Sequence, residues 1–269
     1  MAADRVDIDL SVVAPAHNEE PNAVPLVTEL NAVLDMIPLR SEIVIVDDGS
    51  SDATLDVLCR LSRDVDRLRV VALPRTPSGL GHGQSAAILA GIRASRGDLI
   101  AGMDADLQND PSDIPVLLEA LQRTGADLVQ GDRCAARRDG FIRRVSSLVG
   151  RLVRRALLRD TIRDTGCSLR IMRRTLALQL PLQYRGMHRF IPLTARQLGY
   201  RVVEIPVGHR PRVAGQTSYG IWNRAIPGLI DCFGVRWLHR RRRPIEFDEV
   251  TEPRTVDTPA NAEPVETTP

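Results

Sequence analysis

The chain has 269 residues, of which 43% are hydrophobic and 3% aromatic, and its formal net charge is +2. This length is enough for one large α/β domain or two small ones with an aliphatic core. All 36 basic residues are arginine, which excludes a catalytic lysine and the lysine of a P-loop. The four cysteines lie far apart, which argues against a zinc site or a disulfide framework and favours a reducing compartment.

The N-terminus does not resemble a signal peptide, because it is short and carries acidic residues. No apolar run approaches the roughly 18 residues that a membrane span requires. These two observations predict a cytoplasmic protein, or one that contacts a membrane without crossing it.

Apolar runs alternate with helix-length segments along the first half of the chain. We predict strands at residues 10–14, 43–46, 68–73, 98–103 and 127–130. We predict helices at residues 22–36, 52–63, 85–94 and 111–122. This alternation indicates an α/β fold with a mostly parallel central sheet and helices on both faces. Ligands of such sheets bind beyond the carboxyl ends of the strands.

Arginines are concentrated in the second half of the chain. Between Arg133 and Arg174 there are 13 arginines and three acidic residues, a local net charge of +10. Helical spacing of apolar residues predicts amphipathic helices within 141–156 and 219–239, the second followed by arginines at 240–243. The last 26 residues contain seven acidic residues and five prolines, which predicts disorder. We therefore divide the chain into a main domain (1–218), an amphipathic helix (219–243) that either lies on a membrane surface or packs against the core, and a tail (244–269).

Asp104 and Asp106 are the candidate metal ligands. An Asp-x-Asp pair occurs three times in the chain, but only this one follows directly on an apolar strand. Together with the side-chain oxygen of Gln108, the two carboxylates suit a hard divalent cation such as Mg²⁺ or Mn²⁺, which would neutralise a diphosphate. A solvated acidic turn has the same local sequence and is the alternative.

Two further polar segments follow predicted strands. Asp47 and Asp48 begin an Asp-Asp-Gly-Ser segment, which is either a ligand-binding strand end or an ordinary turn and helix cap. Gly81 and Gly83 lie in a glycine-rich loop whose backbone amides could approach a phosphate. The alternative is a surface turn, since the loop lacks the spacing of a dinucleotide fingerprint.

The motifs are more specific in combination, because the first four follow successive strands in order. They are Pro15-Ala-His-Asn-Glu19, Asp47-Asp48-Gly49-Ser50, Gly81-His-Gly83, Asp104-Ala-Asp106-Leu107-Gln108, Gly131-Asp-Arg133, Asp164-Thr-Gly-Cys-Ser-Leu-Arg170, His188-Arg-Phe190 and Pro206-Val-Gly-His209-Arg210-Pro-Arg212. This series resembles the inverting family 2 glycosyltransferases of GT-A fold, and within them the dolichyl-phosphate mannosyltransferase-like branch. The resemblance covers roughly residues 8–222.

The resemblance implies roles for individual residues. It assigns the nucleotide of the donor to Pro15, His17, Glu19, Asp47, Asp48, Gly81 and Gly83. It assigns the diphosphate and its metal ion to Asp104, Asp106 and Gln108, with Arg133 and Arg212 as further catalytic residues. It places the acceptor phosphate at Arg143 and Ser147. For each arginine, a generic basic surface is the alternative interpretation.

One position departs from the pattern of the family. A lysine is usual where this chain has Ser218, so one positive charge near a phosphate is missing. Arg210 is the nearest residue in sequence that could compensate for it, and we assign it to the acceptor phosphate as well.

The function implied is metal-dependent, inverting transfer of a sugar from a nucleotide-sugar to a polyprenyl phosphate at the cytoplasmic membrane face. The arginines beside apolar residues suit an anionic membrane surface, where the protein would be peripheral. An acceptor with a hydroxyl group is the alternative, and it requires a general base such as Asp132 or Asp164. Four of the five histidines, at 17, 82, 188 and 209, are interpreted as packing or hydrogen-bonding residues rather than bases.

Two further functions are weighed against glycosyl transfer. A basic module that binds without catalysis fits the arginine content, but the near-absence of aromatic residues argues against stacking on bases, so no nucleic-acid partner is expected. A nucleotidyltransferase would need a glycine-rich loop after the first strand, where this chain has the segment that begins at Pro15.

Overall fold

The computed structural model describes residues 7–134, 141–211 and 222–243, with side chains except at 141–149 and 222–226. Within these ranges seven strands form one sheet: β1 (Leu10–Ala16), β2 (Ser41–Asp47), β3 (Leu68–Ala72), β4 (Leu99–Gly102), β5 (Leu128–Asp132), β6 (Arg170–Arg173) and β7 (Val202–Pro206). Their order across the sheet is β3-β2-β1-β4-β6-β5-β7. Only β6 runs antiparallel to its neighbours β4 and β5.

Helices connect the strands in the order that the alternating pattern predicts. They are α1 (Glu20–Asp35), α2 (Thr54–Asp64), α3 (Gln84–Ala94), α4 (Ile114–Thr124), α5 (Phe141–Leu158), α6 (Arg174–Ala177), α7 (Ile191–Gln197) and α8 (Trp222–Arg241). Short 3₁₀ turns precede α4 at Pro111–Asp113 and α7 at Met187–Phe190. The sequence analysis predicted the first four helices but not β6, β7, α6 or α7.

The core consists of two aliphatic layers, one on each face of the sheet. Ile43 and Ile45 of β2 belong to the layer that contains residues of α1, α2 and α4, while Val44 and Val46 of the same strand belong to the layer that contains residues of α3, α6, α7 and α8. Successive residues of a strand point to opposite faces, so a strand buried on both faces reads as a continuous apolar run. The predicted mostly parallel sheet with helices on both faces is confirmed.

Helix α8 packs beside α5 and has one buried face and one exposed face. Its Cys232 and Val235 are 3% exposed, whereas Leu229, Phe233 and Trp237 are 44%, 55% and 59% exposed. The predicted apolar stripe therefore faces outward over these three residues, and other residues of the helix contact the core. None of the helices in the described ranges combines the length and apolar character that crossing a membrane requires. The tail at 244–269 and the boundary at residue 218 lie outside the described residues.

Candidate active site

The carboxyl ends of β1, β2, β4 and β5 lie at one edge of the sheet, because these strands run in the same direction. The loops after β1 and β2 are bonded directly to each other. The backbone N–H of Asp48 donates to the carbonyl of Ala16 at 2.8 Å, and the His17 ring donates through Nδ1 to the carbonyl of Asp48 at 2.9 Å. Half-buried Pro15 is near the end of β1, and half-buried Glu19 lies in the loop that follows this strand. The structure thus brings together the residues that the sequence analysis assigned to the nucleotide.

Asp48 holds the glycine-rich loop. Its two carboxylate oxygens accept the backbone N–H groups of His82 and Gly83, each at 2.8 Å. A Cβ atom at Gly81 would lie 2.5 Å from Asp48 Oδ2, and the φ of Gly81 is +69°. Glycine is therefore required at this position for both its conformation and its close approach. The structure explains Asp48 and Gly81 as parts of one loop anchor, beside the predicted nucleotide site.

Asp47 has a buried oxygen that no group of the described residues satisfies. The residue is 1% exposed, and its Oδ2 accepts the backbone N–H of Ser50 at 3.2 Å, but its Oδ1 has no hydrogen-bond partner. An unsatisfied buried carboxylate oxygen is costly. A donor group of a ligand, such as a ribose hydroxyl or a base N–H, fits this position.

Asp104 and Asp106 follow β4 in a tightly held loop. The Asp104 backbone N–H donates to Ser168 Oγ at 3.1 Å, and Asp106 Oδ1 accepts the backbone N–H of Gln108 at 3.2 Å. The intervening Leu107 is buried and has a φ of +60°, a conformation that is rare for a branched side chain and is found at functional sites. The buried Leu107 and its unusual backbone conformation therefore distinguish this loop from an ordinary solvated turn.

The donor set fits a divalent ion. Burial, and then the negative charge of Asp106, raise the pKa of Asp104, so a cation between the two carboxylates would relieve their repulsion. No three His, Cys, Asp or Glu side chains form a metal-binding group in the part of the chain that is described. The predicted set has two carboxylates and the amide oxygen of Gln108, which are oxygen ligands suited to Mg²⁺ or Mn²⁺.

A buried ion pair lies beside these carboxylates. Arg133 Nε donates to Asp164 Oδ2 at 2.9 Å, and both side chains are 4% exposed. Arg170, also buried, donates through Nε to the carbonyl of Ser168 at 3.1 Å. The positive charges of Arg170 and Arg133 both lower the pKa of Asp104 and so oppose the effect of burial. Arg170 ends the Asp164–Arg170 motif, but its sequence context alone predicts no role for it.

The remaining arginines of the predicted phosphate set are placed differently. Arg210 pairs with Glu29 at 2.6 Å and with Asp110 at 2.8 Å, and its backbone N–H donates to the carbonyl of Gln108 at 3.0 Å. Its guanidinium is thus flanked by two carboxylates, whose negative charges offset the positive charge that would attract a phosphate. The predicted residues Arg143 and Ser147 lie on α5 at positions without described side chains, and Arg212 and Ser218 lie outside the described residues.

The two carboxylates considered as a general base are both engaged with arginine. Asp164 pairs with Arg133, and Asp132, which is 5% exposed, accepts the Cys134 backbone N–H at 2.8 Å and pairs with Arg163 at 3.4 Å. His188 is not a base either, since burial and then the charges of nearby arginines lower its pKa to about 3. Burial is also the first cause that raises the pKa of the Cys134 thiol to about 11, so it is no nucleophile at neutral pH.

Two polyprenyl-phosphate enzymes have sequences similar to that of this chain. The chain is 39% identical over 245 residues to the dodecaprenyl-phosphate galacturonate synthase of Rhizobium johnstonii, covering 89% of this chain and 70% of that protein. It is 40% identical over 217 residues to the undecaprenyl-phosphate 4-deoxy-4-formamido-L-arabinose transferase of Pseudomonas aeruginosa, covering 79% of this chain and 61% of that protein.

A solved structure supports the fold. The glucosyl-3-phosphoglycerate synthase of Mycobacterium tuberculosis, in complex with Mn²⁺, uridine diphosphate and phosphoglyceric acid, matches with a TM-score of 0.64 at 22% identity, covering 85% of this chain and 78% of that one. With the observed sheet, this likeness confirms the GT-A fold. The model of glycosyl transferase family 2 matches residues 11–180. The chain is therefore a glycosyltransferase that belongs to glycosyl transferase family 2.

Proposed function

We propose that this glycosyltransferase transfers a sugar from a nucleotide-sugar to a polyprenyl phosphate, with inversion and with the help of a divalent ion. The observation that carries the proposal is the pairing of both candidate bases with arginine, Asp164 with Arg133 and Asp132 with Arg163. A hydroxyl acceptor needs a base to take its proton, whereas a phosphate is already ionised at neutral pH. The names of the two relatives, both polyprenyl-phosphate enzymes, support the same acceptor class.

The donor would bind across the loops at the carboxyl edge of the sheet. Pro15, His17 and Glu19 would contact the nucleoside, and Asp47 Oδ1 would accept a hydrogen bond from it. Asp48 would keep the loop of Gly81 and Gly83 in place beside the donor, because it holds the backbone N–H groups of His82 and Gly83. This arrangement would orient the donor for attack at its anomeric carbon.

The divalent ion would be held by Asp104, Asp106 and Gln108. When bound, such an ion neutralises the negative charge that develops on a departing nucleoside diphosphate. Arg133 lies buried beside these ligands in its pair with Asp164, and its charge also acts on Asp104, while Arg143, Ser147 and Arg212 are proposed to bind the acceptor phosphate. The double pairing of Arg210 favours a role in holding the loop at Gln108 over direct contact with a phosphate.

We propose in addition that the outer face of α5 and α8 lies on the cytoplasmic surface of an anionic membrane. Leu152 of α5 is exposed, as are Leu229, Phe233 and Trp237 of α8. Helix α8 ends in arginine, and the guanidinium of Arg241 lies 5.6 Å from the centre of the Trp237 ring. Exposed apolar residues next to clustered arginines suit the headgroup region of such a membrane.

The acceptor assay tests the proposed function directly. The purified protein is incubated with radiolabelled nucleotide-sugars, Mn²⁺ and either a polyprenyl phosphate in detergent or a water-soluble glycan. We expect label in the chloroform-extractable lipid, with no gain when the pH is raised to ionise a base. Label that enters only the glycan would establish the hydroxyl acceptor instead and would overturn the proposal.

A further inference from the structure

Gln84 contacts the first carboxylate of the metal motif. It is the first residue of α3, and its Nε2 donates to Asp104 Oδ1 at 2.6 Å. Its neighbour Gly83 is held by Asp48, as described above. The chain that leads into Gln84 is therefore fixed on its N-terminal side, at the edge of the sheet where the donor is proposed to bind.

The C-terminal side of Gln84 is fixed by a second contact. Ser85 is 3% exposed, its Oγ lies 2.9 Å from His188 Nδ1, and it accepts the backbone N–H of His188 at 3.1 Å. Because the serine accepts that N–H, its own hydroxyl proton is available for Nδ1 of a neutral imidazole. Burial keeps His188 neutral, because it lowers the pKa of the ring to about 3.

His188 is itself held in place by the buried Arg170. Arg170 donates through one terminal nitrogen to the carbonyl of His188 at 3.4 Å and through Nε to the carbonyl of Ser168 at 3.1 Å. The hydroxyl of Ser168 accepts the backbone N–H of Asp104. One group of contacts thus joins the 3₁₀ turn at Met187–Phe190, the first turn of α3 and the backbone of the metal motif.

We propose that Gln84 is a positioning residue for the Asp104 carboxylate, and that Ser85 and His188 keep Gln84 in place by anchoring the first turn of α3. The proposal rests on the divalent ion of the proposed function. A carboxylate oxygen has lone pairs for two partners, so an amide donor can orient Asp104 and still leave it able to bind a cation.

A neutral donor suits this position better than a cationic one. The side-chain amide of Gln84 restricts the carboxylate of Asp104 without neutralising it. A lysine or arginine ammonium or guanidinium in the same place would compete with the metal ion for the negative charge. The short Gln84–Asp104 contact therefore orients the carboxylate through a neutral group.

The test measures Mn²⁺ binding to the full chain without donor or acceptor, by the loss of the EPR signal of free Mn²⁺. Gln84→Met has a similar length but no amide, and we expect it to weaken Mn²⁺ binding by about 10- to 100-fold. Gln122→Met makes the same change at an exposed position of α4 and should bind Mn²⁺ like the wild type. Equal Mn²⁺ affinity of Gln84→Met and the wild type, with both folded, would overturn the proposal.

Two variants of His188 test the anchor. His188→Asn keeps an acceptor that the Ser85 hydroxyl can reach and should retain most of the Mn²⁺ affinity, whereas His188→Phe removes it and should weaken Mn²⁺ binding. If His188→Phe and His188→Asn are both folded and bind Mn²⁺ with the same affinity, the Ser85–His188 pair has no positioning role. Because these titrations contain no acceptor, a failure of polyprenyl phosphate as acceptor leaves their outcome unaffected. A wild-type chain that binds no Mn²⁺ would overturn the inference.

Discussion

Arg133 and Asp164 form an ion pair that is almost completely buried beside the metal motif. Removing one partner of such a pair leaves an uncompensated buried charge, which costs about 3–5 kcal/mol. We therefore expect Asp164→Asn to lower the free energy of unfolding by this amount in urea denaturation. Asp127→Asn breaks a more exposed pair, with Arg173, and should cost less than about 1 kcal/mol. If both variants lost a similar amount of free energy of unfolding, burial would not explain the cost expected at Asp164.

Asp104 and Asp106 are the residues on which the proposed metal site depends. We expect Asp104→Asn and Asp106→Asn each to abolish sugar transfer and to remove the metal-dependent part of donor binding. Each substitution replaces a negatively charged carboxylate ligand by a neutral amide. Both carboxylates are crowded together, and the pKa of Asp104 is raised, so the fold should lose little stability. Transfer assays and thermal melts with and without Mn²⁺ measure both effects. Near-normal transfer by either variant would contradict the metal assignment.

The lowered pKa of His188 predicts that the stability of the fold depends on pH. Its pKa is lowered from 6.5 to about 3, first by burial and then by the charges of Arg189 and Arg170. The unfolded chain thus binds a proton at this site below pH 6.5 that the folded chain does not, and stability falls as the pH falls from 6.5 towards 3. Between pH 7 and pH 5 the loss through this residue is about 2 kcal/mol.

Denaturation at the two pH values measures this loss. In His188→Asn the contribution is absent, so the difference between pH 7 and pH 5 should be about 2 kcal/mol smaller than in the wild type. His239→Asn, at an exposed position of α8, is the control. If the free energy of unfolding of His188→Asn falls between pH 7 and pH 5 as much as that of the wild type, the ring of His188 is not responsible for the pH dependence.

At the scale of elements, α8 is the part of the described structure whose apolar residues are most conspicuously exposed. If they face a membrane, the protein should sediment with anionic liposomes at low salt and be released at high salt. Phe233→Ser with Trp237→Ser, or charge reversal of arginines 240–243, should weaken this binding and leave nucleotide-sugar affinity unchanged. Met36→Ser, at an exposed residue at the end of α1, is the matched control. Equal binding to neutral and anionic liposomes would contradict the prediction.

The elements that the sequence predicted are those with strong periodic signals. Strands β1 to β5 and helices α1 to α4 consist of apolar runs or amphipathic segments that are separated by turn residues. Strand β6 was not predicted because it has only four residues, two of them arginine. Strand β7 was not predicted because its apolar and polar residues do not alternate in a way that distinguishes it from a loop. Their place in the sheet depends on pairing with distant strands, which local sequence does not encode.

At the scale of the whole molecule, ligand binding should stabilise the fold. A ligand that binds only the native state raises the melting temperature by mass action. We expect one nucleotide-sugar of a panel to do so strongly in the presence of Mn²⁺ and weakly in its absence, because the proposed site joins the donor and the ion. In Asp104→Asn the Mn²⁺-dependent part of the shift should vanish. A shift that is independent of Mn²⁺ would argue for donor binding without the ion.

The sequence by itself determined the βαβ pattern, the mostly parallel sheet and the position of the first four polar motifs after successive strands, since these follow from local periodicity and turn residues. Only the tertiary structure decided which charges meet. It pairs Arg210 with Glu29, and Arg133 with Asp164, and it places Gln84 on Asp104 and Ser85 on His188. Such contacts join residues that are tens of positions or more apart, and which of the many arginines reaches a given carboxylate depends on how strands and loops pack, not on any local spacing.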